Sequence, residues 1–272
     1  LGFIPEAGNN IAAAEYDALL PKVALQYTLL PGMQVFASYA EAYRAGGADV
    51  LFTTGEIVEY GPEYTSNYEL GWRFNTDGRR WTSAFNLFHL DRRDQQVTVI
   101  TDDGRDSFTA NAASSVVSGA EFELAVRPMP GLQLMTSLGY ARSAFKEFVQ
   151  DGEDLSGQAF ARSPRMTGSL GVIWRNPAGG WMASSNLSYV DSYVSTVNRN
   201  TRAESGDYLL LDGRLGWEAE RWSSYVFGRN LLDEDYKTYN VRSAPRGARD
   251  VAGNFVTYGA PLTLGVELEA RF

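Results

Sequence analysis

His89 is the single histidine of the 272-residue chain, and with Asp91 close by it is where acid–base chemistry would have to be built. A serine hydrolase would need a hydroxyl and a carboxylate beside it. Ser83 or Asp91 could be near neighbours, but no serine sits in a nucleophile motif, and an ordinary strand histidine is the simpler reading. A lone histidine also excludes a two-histidine metal site. The acidic runs Asp102-Asp103, Asp151-Gly152-Glu153-Asp154 and Asp233-Glu234-Asp235 could attract calcium. They lack the ligand alternation of a dedicated calcium loop and read as solvated loop charge. No glycine loop able to cradle phosphate is present, so neither a cofactor nor a metal site is expected. What remains is recognition. Arg44, Tyr60, Arg142, Arg162, Tyr193, Arg199, Arg202, Arg242, Arg246 and Arg249 lie at or near long polar segments. The planar guanidinium fork suits carboxylate or catecholate groups, and aromatic rings can stack on a ligand. Against this stands the plain fact that exposed loops commonly carry Arg and Tyr.

The elements that would hold these residues are strands. From Leu262 to Phe272 apolar and polar residues alternate without a break: Leu262, Leu264, Val266, Leu268, Ala270 and Phe272 on one face, Thr263, Gly265, Glu267, Glu269 and Arg271 on the other. Ionisable groups on the second face suit a water-lined lumen better than a packed sandwich core. Upstream, short turns at Leu30-Pro31-Gly32, Asn75-Thr76-Asp77-Gly78, Pro128-Met129-Pro130-Gly131, Asn176-Pro177-Ala178-Gly179-Gly180 and Glu218-Ala219-Glu220-Arg221 alternate with long connections. The long ones fall near 44–62, 101–112, 148–162, 197–207 and 232–256. Short turns on one side and long loops on the other predict an all-β, antiparallel transmembrane β-barrel with periplasmic turns and extracellular loops. About eleven strands of roughly 10–15 residues are predicted, long enough to cross a bilayer at a tilt. An even-numbered barrel without free edges needs more, so the first strand, near Ala18 to Leu29, should find a partner upstream, with residues 1–17 as a lead-in or loop and 18–272 as wall.

Composition agrees. No run of roughly 18 apolar residues could make a helical span. A mean hydropathy of -0.26 is uninformative, because barrel strands average their two faces. A chain without cysteine suits either an oxidising or a reducing compartment. No signal segment precedes the wall, and upstream sequence is expected. The formal charge of -9 argues against nucleic acid. All six tryptophans bracket short turns, Trp72 with Trp81, Trp174 with Trp181, and Trp217 with Trp222, as in an interfacial aromatic girdle. Pairing across ordinary hairpins is the alternative.

The wording of the segments adds a resemblance. Tyr39-Ala40-Glu41-Ala42-Tyr43-Arg44-Ala45-Gly46-Gly47, followed by Tyr60-Gly61-Pro62-Glu63-Tyr64-Thr65-Ser66-Asn67-Tyr68-Glu69-Leu70-Gly71, resembles adjacent strands of TonB-dependent receptors. Gly119-Ala120-Glu121-Phe122-Glu123, the Gly131-Leu132 restart, Gly139-Tyr140 and Arg229-Asn230-Leu231-Leu232-Asp233-Glu234-Asp235-Tyr236 are similar to other family segments, in family order. Phe272 resembles the terminal signal read by the barrel assembly machinery, although Ala270 stands where an aromatic is usual. The resemblance implies the C-terminal half of a 22-stranded barrel in the outer-membrane lipid, an N-terminal plug and TonB energy-coupling complex, and import of a ligand. A ferric siderophore is the commonest; vitamin B12, other chelates and oligosaccharides stay open. It also implies that Glu69, Arg73, Glu121, Glu123, Arg127, Arg165, Arg214, Glu267 and Arg271, which alternation turns to the lumen, face the plug. A passive porin would share the rhythm without the wording, and an outer-membrane enzyme is a more distant alternative. Asn230 and Asp233 read as structural, their short side chains replacing backbone partners where a strand ends.

Overall fold

The computed structural model describes residues 16–100, 106–150, 152–197, 202–243 and 253–271. Sixteen strands are β1 (Lys22–Leu30), β2 (Met33–Arg44), β3 (Gly47–Val50), β4 (Ile57–Tyr60), β5 (Glu63–Asn75), β6 (Trp81–Ile100), β7 (Ser107–Met129), β8 (Leu132–Gln150), β9 (Glu153–Asp154), β10 (Met166–Arg175), β11 (Gly180–Val190), β12 (Tyr208–Glu218), β13 (Trp222–Arg229), β14 (Lys237–Ser243), β15 (Gly253–Tyr258) and β16 (Thr263–Ala270). Eleven of them form one antiparallel sheet in the order β1-β2-β5-β6-β7-β8-β10-β11-β12-β13-β16, with β9 paired to the outer end of β8. The hairpins β3–β4 and β14–β15 stand apart from it. The edges are β1 and β16, which do not pair with each other among the described residues.

Register carries one chemistry across the sheet. Leu25 pairs with Ala37, Ala37 with Leu70, Leu70 with Leu87, Leu87 with Ala120, and Ala120 with Tyr140. The residues on this face are apolar and bare: Leu70 is 55% exposed, Leu170 58%, Val226 59% and Leu268 77%. Covering such a face with water would be costly, whereas acyl chains accept it. All six tryptophans share this face at the short-turn end, where Trp181 opposes Trp217 with ring centres 5.4 Å apart. Tyrosines occupy the same face at the other end, with Tyr39 against Tyr68 at 5.0 Å and Tyr43 against Tyr64 at 6.3 Å. Amphipathic rings thus border the apolar band above and below, as headgroup levels require.

The Pro31-Gly32 and Pro130-Gly131 turns need glycine. Gly32 has φ +78° and Gly131 φ +80°, and a Cβ at Gly131 would stand 2.0 Å from the Arg175 carbonyl oxygen. The long-loop end differs from expectation. Instead of a loop over 101–112, β6 and β7 stay paired as far as Ile100 and Ser107, and the three strands β6, β7 and β8 run 20, 23 and 19 residues. Register shifts between Arg92 and Gln95 and between Ser114 and Ser115 mark where they leave the regular wall. Beyond these, Ala113, Phe145, Phe148 and Leu155 bury one another, with Val97, Phe160 and Val197 packed against them. This small core outside the apolar band stabilises the extension.

Candidate functional site

The long-loop end is a fastened surface. Gln96 donates from Nε2 to the carbonyls of Ala45 (2.8 Å) and Gly61 (3.0 Å), while its backbone N–H donates to Glu63 Oε2 (2.9 Å). Asn111 accepts from the Gly61 N–H (2.6 Å) and donates to the Gly61 (3.0 Å) and Asp94 (2.7 Å) carbonyls. Asp106 is 8% exposed and accepts from the N–H groups of Phe52 (2.7 Å) and Thr53 (3.0 Å) and from the Thr53 hydroxyl. These bonds, the Thr53 hydroxyl first, hold its carboxyl below the ordinary range. Each fastening joins residues far apart in sequence, so the β3–β4 hairpin is positioned before any ligand arrives. Tyr60 lies over Gly47, where a Cβ would meet its hydroxyl oxygen at 2.6 Å, and Arg44 ends β2 opposite Glu63.

Beside this surface lies a cavity of about 320 Å³ lined in part by Phe160, Arg165, Asp191, Tyr193, Arg202 and Glu204. Arg202 Nη1 donates to Gln158 Oε1 (3.0 Å), and the Tyr193 hydroxyl donates to the Thr238 carbonyl (3.0 Å). The Arg162 guanidinium lies 5.1 Å from the centre of the Tyr239 ring, a cation–π contact. Asn240 donates to the Glu204 carbonyl (2.6 Å) and to Ser195 Oγ (2.9 Å). The segments near 158, 193 and 202 are therefore bound to β14 as one body. The cavity offers guanidinium, phenol and carboxylate groups in a partly desolvated setting, which is binding chemistry. Of the other recognition candidates, Arg242 is exposed within β14, while Arg199, Arg246 and Arg249 lie outside the described residues. Arg142 is not at a loop. It sits within β8 opposite Ser118, on the apolar face, because strand parity continues unbroken from Leu138 and Tyr140.

The opposite, polar face carries the charges expected in the lumen. Glu69, Arg73, Glu121, Glu123, Arg214 and Glu267 alternate with the bare apolar residues, and Arg127, Arg165 and Arg271 continue that parity one step past the paired ladder. Glu69, Arg73, Glu121 and Glu123 line one cavity of about 260 Å³, and the Arg73 guanidinium is 5.5 Å from the Phe36 ring centre. Arg214 pairs with Glu267 at 2.9 Å, and Arg271 Nε is 3.5 Å from Glu269 Oε1. Phe272 lies outside the described residues.

A family model described as "TonB dependent receptor-like, beta-barrel" matches residues 5–231. The chain belongs to the TonB-dependent receptors. It is 27% identical over 239 residues to the pesticin receptor of Yersinia pestis, covering 86% of this chain and 34% of that protein. Against the ferric-pyoverdine 358 receptor of Pseudomonas putida it is 22% identical over 269 residues, covering 95% and 30%. The crystal structure of the ferric yersiniabactin uptake receptor from Yersinia pestis superposes with a TM-score of 0.77 at 24% identity, covering 93% of this chain and 37% of that one. The ferripyoverdine receptor of the outer membrane of Pseudomonas aeruginosa gives 0.67 at 17%, covering 92% and 32%. The chain spans about a third of the length of the curated relatives it matches.

The family places this wall in the bacterial outer membrane, with the long connections gathered at one end of the sheet and the short turns at the other. The wall holds no enzyme-like centre among the described residues. His89 Nδ1 hydrogen-bonds Ser118 Oγ at 2.7 Å on the lipid-facing side, and Asp91 is engaged by Lys146 at 2.7 Å. No group of three potential metal-ligating side chains gathers among the described residues. The family's Asn230 motif is a clamp. Asn230 is 4% exposed, donates from Nδ2 to the Glu234 (3.0 Å) and Ala260 (3.1 Å) carbonyls, accepts from the Glu234 N–H (2.9 Å), and donates its own N–H to Asp212 Oδ1 (2.9 Å). Sequence reasoning passed over Arg80 and Arg175 at the periplasmic rim. The alternation Ile173–Arg175 was the available signal, and Arg80 carried none.

Proposed function

We propose that the protein to which this wall belongs imports a scarce anionic ligand, most specifically a ferric siderophore, by TonB-energised transport. The observation that supports it best is the outer cavity, where Arg165, Arg202 and Tyr193 gather on a rigid frame with Arg162 braced on Tyr239 nearby. Guanidinium forks bind carboxylates and catecholates bidentately, and a prefixed cavity avoids much of the ordering cost of association. Two matched relatives carry ferric siderophores in their names, ferric pyoverdine and ferric yersiniabactin. In this reading residues 18–272 are barrel wall and 1–17 a lead-in. Glu69, Arg73, Glu121 and Glu123 hold a plug by paired polar contacts, Phe272 signals to the assembly machinery, and the bare Leu and Val face meets outer-membrane lipid.

The test is growth and radioiron uptake by a deletion strain complemented with the full-length receptor, offered defined ferric siderophores with and without functional TonB. Uptake of one chelate that vanishes without TonB is expected. Replacing Arg202 with Gln should weaken surface binding of that chelate about tenfold, the scale of one charged hydrogen bond. Unchanged uptake of every iron chelate on deletion would sink the siderophore reading, and TonB-independent entry would favour a passive pore.

A further inference from the structure

A second cluster of arginines sits at the periplasmic end of the polar face. Arg80 follows the turn after β5, Arg127 lies near the end of β7, and Arg175 closes β10. Backbone bonds hold them at one level. The Arg127 N–H donates to the Arg80 carbonyl (2.7 Å), and the Arg175 N–H donates to the Gly131 carbonyl (2.7 Å), so they flank the Pro128–Gly131 turn. Together with Leu132, Gln133 and Ile173 they line a cavity of about 530 Å³ to which no carboxylate contributes. In a chain of formal charge -9 such a cluster is not a product of composition.

The charges there are only partly spent. Arg80 Nη2 donates to the Pro128 carbonyl (3.2 Å), and Arg175 Nε stands 3.5 Å from Glu218 Oε2, a carboxylate that also accepts from the Tyr225 hydroxyl (2.9 Å). The Arg127 side chain makes no hydrogen bond or ion pair among the described residues. The cleft opens inward. Val126 pairs with Trp81, and Leu132 with Trp174, on the lipid side, so Arg127, Gln133, Ile173 and Arg175 take the alternate, lumenal side. The guanidinium-bearing wall of the cleft is thereby turned from the lipid side, with Leu132 at its edge.

We propose that this cleft is an exit site for the transported ligand, taking carboxylate- or catecholate-type oxygens on its guanidinium groups as the chelate leaves the lumen for the periplasm. The inference rests on the proposed function, because it presumes an anionic chelate as cargo. Its design suits transit: a site on a transport path must attract enough to be entered and hold weakly enough to be left. An open cleft whose arginines are partly engaged already meets that need, whereas three bare guanidiniums in a closed pocket would trap an anion.

The test uses the full-length receptor in the outer membrane of intact cells and radioiron complexes of carboxylate- and catecholate-bearing siderophores. The double variant Arg127→Gln/Arg175→Gln should lower the uptake rate about tenfold, as loss of charged hydrogen bonds allows, with surface affinity in de-energised cells unchanged. The Arg127→Lys/Arg175→Lys variant should recover a large part of the rate, since Lys keeps the charge without the fork. Wild-type uptake that persists undiminished in the Gln variant overturns the exit site alone. So does a fall that tracks lost surface binding or receptor amount, or one accompanied by new sensitivity to a large antibiotic, since each would make the cluster a brace for the plug. If the wild-type receptor carries no ferric chelate at all, the proposed function fails and the exit site with it.

Discussion

Arg214 on β12 reaches across β13 to Glu267 on β16, 2.9 Å away, and lays its guanidinium 3.5 Å from the centre of the Tyr225 ring between them. The ring converts a bare ion pair into a braced one, and it explains how a polar lumen wall is made stiff without a hydrophobic core.

Because both charged partners are partly exposed, the ion pair itself is worth little. Glu267→Gln should cost under about 1 kcal/mol. Arg214→Leu removes pair and ring contact together and should cost about 1–2 kcal/mol. Urea unfolding of the detergent-solubilised full-length receptor measures both. A larger loss for Glu267→Gln than for Arg214→Leu would contradict the brace.

Asn230 should matter more than any lumenal charge. Its backbone is left-handed at φ +50°, and its side chain holds both ends of the 230–260 loop. Asn230→Ala strands buried backbone groups and retains the strained conformation, at a cost of about 2–4 kcal/mol. Asn230→Gly relieves the strain only and should fall between Ala and wild type. Thermal unfolding followed by heat-dependent gel mobility will rank the three.

The Asp106 clamp predicts a pH dependence with a definite sign. Its folded-state pKa is depressed, chiefly by the Thr53 hydroxyl. Its contribution is therefore complete above the ordinary carboxylate range and is lost as pH falls through the folded-state value. Protection of the Phe52 and Thr53 amides from hydrogen exchange, taken relative to the intrinsic rate at each pH, should stay high from neutral to mildly acidic pH and fall in stronger acid. In Asp106→Asn it should be lower at neutral pH and show no such fall.

Orientation is open to a direct check. Cysteine at exposed Ala161, beyond β8, should react with an impermeant maleimide on intact cells, and cysteine at exposed Ala178, in the turn between β10 and β11, should not. Reversed labelling would invert the wall.

Much of the wall is written locally. Period-two alternation, proline–glycine turns and paired tryptophans act over a few residues, so the sequence by itself determined an antiparallel membrane wall of eleven long strands, its two faces, and which end bears the loops. The same alternation placed the charges of Glu69, Glu121 and Glu123 on the lumenal side, which the register shares. What the tertiary structure decided depends on residues far apart in the chain. The extension of β6 to β8 exists because Ala113, Phe145, Phe148 and Leu155 find one another above the bilayer, and register shifts that no local pattern announces redirect those strands. Arg142 reads as a loop residue until strand pairing turns it to the lipid side opposite Ser118. Asp106 clamps a turn more than fifty positions upstream, and Arg80, Arg127 and Arg175 meet only through the ladder bonds around the Pro128–Gly131 turn. Such contacts follow from cross-strand register, a property of pairs of strands and not of either strand alone.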